Sequence, residues 1–166
     1  MLCVLCVLLA VYFALYSWNS RQKEKEEAQE EAEIIHVTDT DAAEIVSFSY
    51  NMGSGLLSFE KRDGQWYYTE DEDFLLDQSE PEQIAAELGQ ITADRELKDG
   101  DDPADYGLDE ASRITVEAVY TEDEEEKALT LYIGDEDEDG NRYVMINDSR
   151  IVYLISDEVC QNILNC

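Results

Sequence analysis

Residues 1–18 carry no charged side chain, whereas the chain beyond Arg21 is dense with carboxylates. That split constrains the molecule more than any other feature, because a run this apolar has to leave water. As a helix rising about 1.5 Å per residue it spans roughly 27 Å, close to the ~30 Å hydrocarbon core of a bilayer. Tyr12, Tyr16 and Trp18 stand towards its far end, where amphipathic rings settle at headgroup level. A cleaved secretory signal needs a basic start and small residues flanking the cut. Here no Lys or Arg precedes the run, and Ala14-Leu15-Tyr16 ends in a bulky ring. Lipid attachment at Cys3 or Cys6 is a further alternative, for which Leu5 is a poor neighbour of Cys6. The reading is an uncleaved transmembrane signal anchor over residues 1–18.

Residues 19–33 are rich in helix formers but lack apolar periodicity, so they read as a charged, solvated stalk. Residues 34–166 then suit one domain with a workable core. The chain has 41 Asp and Glu against 11 Lys and Arg, a formal charge of −30. Such a surface repels phosphate backbones, which excludes nucleic acid as a partner, and favours cations or basic partners. Cys160 and Cys166 would lie about 9 Å apart along a continuous helix, too far for a disulfide unless the helix ends near Leu164. The body carries no Cys/His pattern for structural zinc.

Short strands separated by turn signals fill the body. Residues 34–37 begin it, with His36, the single histidine, as a strand or surface residue. Residues 45–50 alternate, placing Val46, Phe48 and Tyr50 on one face. Residues 56–61 place Leu57 and Phe59 together, and Asp63-Gly64 is a two-residue hairpin signal. Trp66, Tyr67 and Tyr68 form the returning strand, their rings suited to packing or to a ligand groove. An extended piece over residues 74–77 leads into a helix. Ser79 reads as its cap, Glu82 as the partner in a capping box, and Ile84, Leu88 and Ile91 as its apolar stripe. Strands resume over residues 114–120, 128–133, 143–146 and 151–155, and a short helix closes the chain over 157–164. The order repeats, predicting an α+β fold of mainly antiparallel β-sheet in two similar β-rich units, each followed by a helix.

The sharpest candidate for chemistry is Asp135-Glu136-Asp137-Glu138-Asp139-Gly140. Oxygen donors at Asp135, Asp137 and Asp139 followed by glycine match the first half of a calcium loop. Ile146 stands where the closing Glu belongs, and the flanks read as strands. The expectation is therefore a weak, hydrated calcium site at most, or a solvated hairpin turn, and no other cofactor. No nucleophile elbow, Walker loop or dinucleotide fingerprint is present. With 41 acidic residues, carboxylate pairs for glycan hydrolysis carry no signal.

Asp102-Pro103-Ala104-Asp105-Tyr106-Gly107-Leu108-Asp109 follows Arg95-Glu96-Leu97. With Asp63-Gly64-Gln65-Trp66-Tyr67, Phe74-x-x-Asp77-Gln78 before the helix, Leu131-x-Ile133-Gly134-Asp135 and Val152-Tyr153-Leu154, it gives an ordered set of motifs over residues 34–164. In these the chain resembles the bacterial family called domain of unknown function 4340. The family usually has a proline soon after Tyr-Gly-Leu; Glu110-Ala111-Ser112 has none, which predicts a looser turn. The resemblance implies an N-terminal anchor and a domain outside the cytoplasmic membrane, at times linked with transport-type or gliding-type membrane complexes. It implies no catalytic residues. Arg21, Lys23 and Lys25 instead favour a cytoplasmic body by the positive-inside rule. A basic leader upstream of Met1 would reconcile the two, so the expectation follows the resemblance. The expected molecule is a non-enzymatic, single-pass, extracytoplasmic interaction domain. Its partners would be a membrane protein complex, such as an envelope or ABC-transporter-type assembly, and the bilayer through residues 1–18. A calcium-responsive domain and an envelope glycan hydrolase are the alternatives.

Overall fold

Two glycines fix how the body begins and turns. At Gly89 an added Cβ would lie 2.3 Å from the Thr40 carbonyl oxygen, so only glycine lets residues 38–40 pass so close to a helix end. At Gly64, φ of +79° beside Asp63 at +51° makes the two-residue turn whose twist suits a hairpin. The computed structural model describes residues 34–51, 55–97, 102–147 and 149–164. The anchor and stalk expected over residues 1–33 lie outside them. Among the described residues no helix is long and apolar enough to cross a membrane.

The elements in chain order are β1 (Ile35–His36), a 3-10 turn (Ala42–Glu44), β2 (Ile45–Asn51), β3 (Leu56–Arg62), β4 (Gln65–Tyr68) and helix α1 (Ser79–Gly89). There follow β5 (Thr92–Ala93), β6 (Arg95–Leu97), a 3-10 turn (Pro103–Tyr106), β7 (Ile114–Glu122), β8 (Glu125–Glu136), β9 (Arg142–Ile146), β10 (Val152–Ile155) and helix α2 (Asp157–Leu164). Eight strands form one sheet in the order β4-β3-β2-β7-β8-β9-β10-β6, and β1 pairs with β5 in a small ribbon. Every pairing is antiparallel. The fold is thus α+β and mainly antiparallel. The two expected runs of strands join edge to edge through β2 and β7 into one sheet.

Alternation sorts the side chains. Phe48 and Tyr50 of β2, Phe59 of β3, Val116 and Ala118 of β7, and Leu129, Leu131 and Ile133 of β8 share the face covered by the helices. There they meet Ile84 and Leu88 of the stripe expected of α1, Ile91, which lies beyond the helix end at Gly89, and Cys160 and Ile163 of α2. On β2, Ile45 is buried rather than the predicted Val46, because the register shifts between Ile45 and Ser47. The bulge turns Ile45 inward. The opposite face is polar over β2 and β3. At the β9-β10 end it carries a second small cluster of Leu108, Met145 and Val152.

Two of the connections differ from the reading of the sequence. Strands β5 and β6 were not predicted; each is very short and gains its identity from partners distant in sequence. The capping of α1 also differs. The N-cap position is Gln78, which makes no side-chain cap bond; one residue earlier the Asp77 carboxylate accepts from the Ser79 backbone N–H at 3.0 Å and hydroxyl at 2.7 Å and so holds the first helical residue. Glu82 takes no part in a capping box; it is drawn away to Trp66 and Lys61.

Candidate functional site

The three aspartates of the calcium-like stretch are separated by strand geometry. Strand β8 runs on through Glu136, with a register shift between Ile133 and Glu136 that makes Gly134-Asp135 a β-bulge. The Asp135 carboxylate lies over Gly107, whose added Cβ would fall 2.5 Å from Asp135 Cγ. Asp137 turns the other way and closes the β8-β9 loop, its Oδ1 accepting from the N–H groups of Asp139 at 2.9 Å and Asn141 at 2.8 Å. The Asn141 N–H, above all, holds the Asp137 carboxyl below the usual range. Asp139 contributes its backbone N–H to this turn. Among the described residues no group of three or more His, Cys, Asp or Glu side chains is placed to hold a metal ion.

Asp135 instead belongs to a lock between two of the sequence motifs. An added Cβ on Gly134 would lie 2.2 Å from the Tyr106 carbonyl oxygen, so Tyr106-Gly107 sits directly on the bulge. Gly107 adopts φ +68°, ending the 3-10 turn that Asp102 caps. Leu108 is then buried against Met145 and Val152, and Tyr106 packs on Tyr143 at 4.6 Å between ring centroids. Arg113 lies 3.8 Å from the Tyr132 ring centroid. The turn that lacks the proline is not loose. The Ser112 and Arg113 N–H groups both donate to the Asp109 carbonyl, at 3.1 and 3.0 Å, and the Asp109 carboxylate accepts from the Ala111 N–H. The Asp-Tyr-Gly-Leu stretch is a packing motif that buttresses the far face of the sheet.

The more open chemistry is at the other end, along β4. With Arg62 opposite Gln65 across a two-residue loop, the N–H and C=O of Trp66 point away from β3. The Gln78 side chain fills that edge: its Oε1 accepts from the Trp66 N–H at 2.7 Å and its Nε2 donates to the Trp66 carbonyl at 3.0 Å. The indole of Trp66 is buried on the core side, where it donates to Glu82 at 2.8 Å. That bond first, and Lys61 second, hold the Glu82 carboxyl below its ordinary value. Residues 74–77 run beside β4, with Phe74 edge-on to Tyr68. Phe74, Leu75 and Leu76 border a groove of about 340 Å³ that Trp66, Tyr67 and Gln78 also line. Phe74 is 59% exposed and Leu75 95% exposed, an apolar shelf among acids.

The aromatic run therefore divides, Trp66 serving the core and Tyr67 the groove. The sequence marked residues 74–77 as extended and Gln78 as part of a motif, but not the role of Gln78 on the β4 edge or the exposure of Leu75. Cys160 is buried, its thiol pushed up to about 12 by burial, and is inert as a nucleophile. Helix α2 ends at Leu164, and Cys166 lies outside the described residues.

Among the described residues an eight-stranded antiparallel sheet backed by two helices, with a glycine lock at one end and an apolar shelf at the other, defines a small α+β sheet domain. The family model for a domain of unknown function, DUF4340, matches residues 66–164, and the chain belongs to that family. No curated protein and no solved structure matches it.

Proposed function

We propose that the chain is a non-enzymatic interaction domain, held at the membrane by residues 1–18 with its body outside the cytoplasm. It would serve as an accessory subunit of an envelope or ABC-transporter-type complex. The observation that carries the reading is the exposed shelf of Phe74 and Leu75 beside β4. Contiguous exposed apolar surface recurs where partners bind, and here two adjacent large apolar side chains stand in water amid acids. The apolar run and the family's anchored architecture support the membrane placement.

The test treats intact cells and permeabilised cells with protease, then resolves the chain extracted in mild detergent by size. Digestion of the body in intact or outer-membrane-permeabilised cells, with an assembly much larger than one chain, is the expected result. A body protected until the cytoplasmic membrane is broken, or a chain migrating alone, contradicts it.

A further inference from the structure

The two halves of the sheet end differently. In the second half β10 lies beside β9 and is itself covered by β6, with Tyr153 opposite Val144 on one side and Glu96 on the other. In the first half residues 74–76 border the groove along β4 and, without forming a strand, run through Asp77 into α1 as β10 leads into α2. Nothing among the described residues takes the place of β6. Leu75 makes no hydrogen bond there, and the Gln78 amide does for Trp66 what a neighbouring strand would do. The surroundings are acidic. Lys61 and Arg62 are engaged by Glu82, Glu60 and Glu72. Glu70, Asp71, Asp73 and Glu80 form no ion pair among the described residues and are exposed.

We propose that an extended segment of a partner protein, alternating basic and apolar residues, adds along the outer edge of residues 74–77, in the position β6 holds beside β10. This rests on the interaction-domain reading. Strand addition takes affinity from main-chain hydrogen bonds and selectivity from alternate side chains. With a two-residue period, one set of side chains covers the exposed Leu75 while the other meets the carboxylate rim. A second copy of this chain would bring like charges together on a molecule of charge −30, so the occupant is a different chain.

The full chain in neutral detergent is titrated against a fluorescent peptide of alternating lysine and valine, read by anisotropy. The comparison peptide is the same sequence N-methylated at the valines, which keeps charge and apolar surface but removes strand donors. The proposal predicts that the unmodified peptide binds roughly tenfold more tightly. Leu75→Asp should weaken binding although it adds a carboxylate. Because Leu75 is exposed, the variant is expected to melt as the parent does, which circular dichroism checks. Equal affinity for both peptides, or unchanged or tighter binding to Leu75→Asp, means adsorption by net charge and overturns the proposal. If a membrane assembly is found but the peptide differences are not, strand addition is wrong and the interaction reading stands. If the differences are found without an assembly, this edge is a peptide site and the envelope-complex reading falls.

Discussion

Gly134 and Gly107 carry the most exacting demands on individual residues. A methyl group on Gly134 would press on a backbone carbonyl, which cannot swing aside as a side chain can. Gly134→Ala should therefore cost about 3 kcal/mol, at the upper end of what overpacking does. Gly64→Ala, where an added Cβ meets nothing within 4 Å but φ is +79°, should cost about 1 kcal/mol. Urea denaturation of the two variants checks the contrast. Glu82 gives a pH test. Its folded carboxyl is held below the ordinary 4.5 by the Trp66 indole N–H and then by Lys61. The charged form is thus favoured by folding. Its stabilisation is complete above pH 4.5 or so and is lost as the pH falls through the lower folded value. Wild type should lose stability more steeply than Glu82→Gln between about pH 5 and pH 3, measured as denaturant midpoints; parallel curves would contradict this account of Glu82.

At the scale of elements, local signals were legible and distant ones were not. Asp63-Gly64 and the pair Ile84 and Leu88 could be read because the turn and the helix face are set by neighbours in sequence, whereas Ile91 is buried from beyond the helix end. Strands β5 and β6 could not, since two or three residues carry no period and acquire strand geometry only from β1 and β10. The aspartate series failed to announce its arrangement for a related reason. Spacing suggested a loop, but the bulge at Gly134-Asp135 sends Asp135 to Gly107 and leaves Asp137 to the turn. The β4 edge was half legible: its aromatic strand was clear, whereas the pairing of Gln78 with Trp66 spans twelve residues. Gln78→Ala strips both bonds from the β4 edge and should lower stability by about 1–3 kcal/mol. Amide exchange at Trp66 should rise with it, and unchanged protection there would show that the amide does not guard the edge.

Over the whole molecule, the charge of −30 opposes compaction while it keeps an exposed apolar shelf soluble. The exposed ion pairs, such as Lys127 with Glu122 and Arg62 with Glu72, do little to offset it. Added salt screens the repulsion, so the melting temperature should rise between low and physiological ionic strength; a fall would mean that specific ion pairs outweigh net repulsion. The same field would draw the proposed basic partner towards the shelf beside β4. The most direct measurement places a photo-crosslinking amino acid at position 75 of the full chain in its own membranes, with position 117 on the open polar face as control. The account predicts one discrete adduct from position 75, competed away by the lysine-valine peptide, and none from position 117. Equal labelling from both positions, or an adduct from 75 that the peptide leaves untouched, would contradict it.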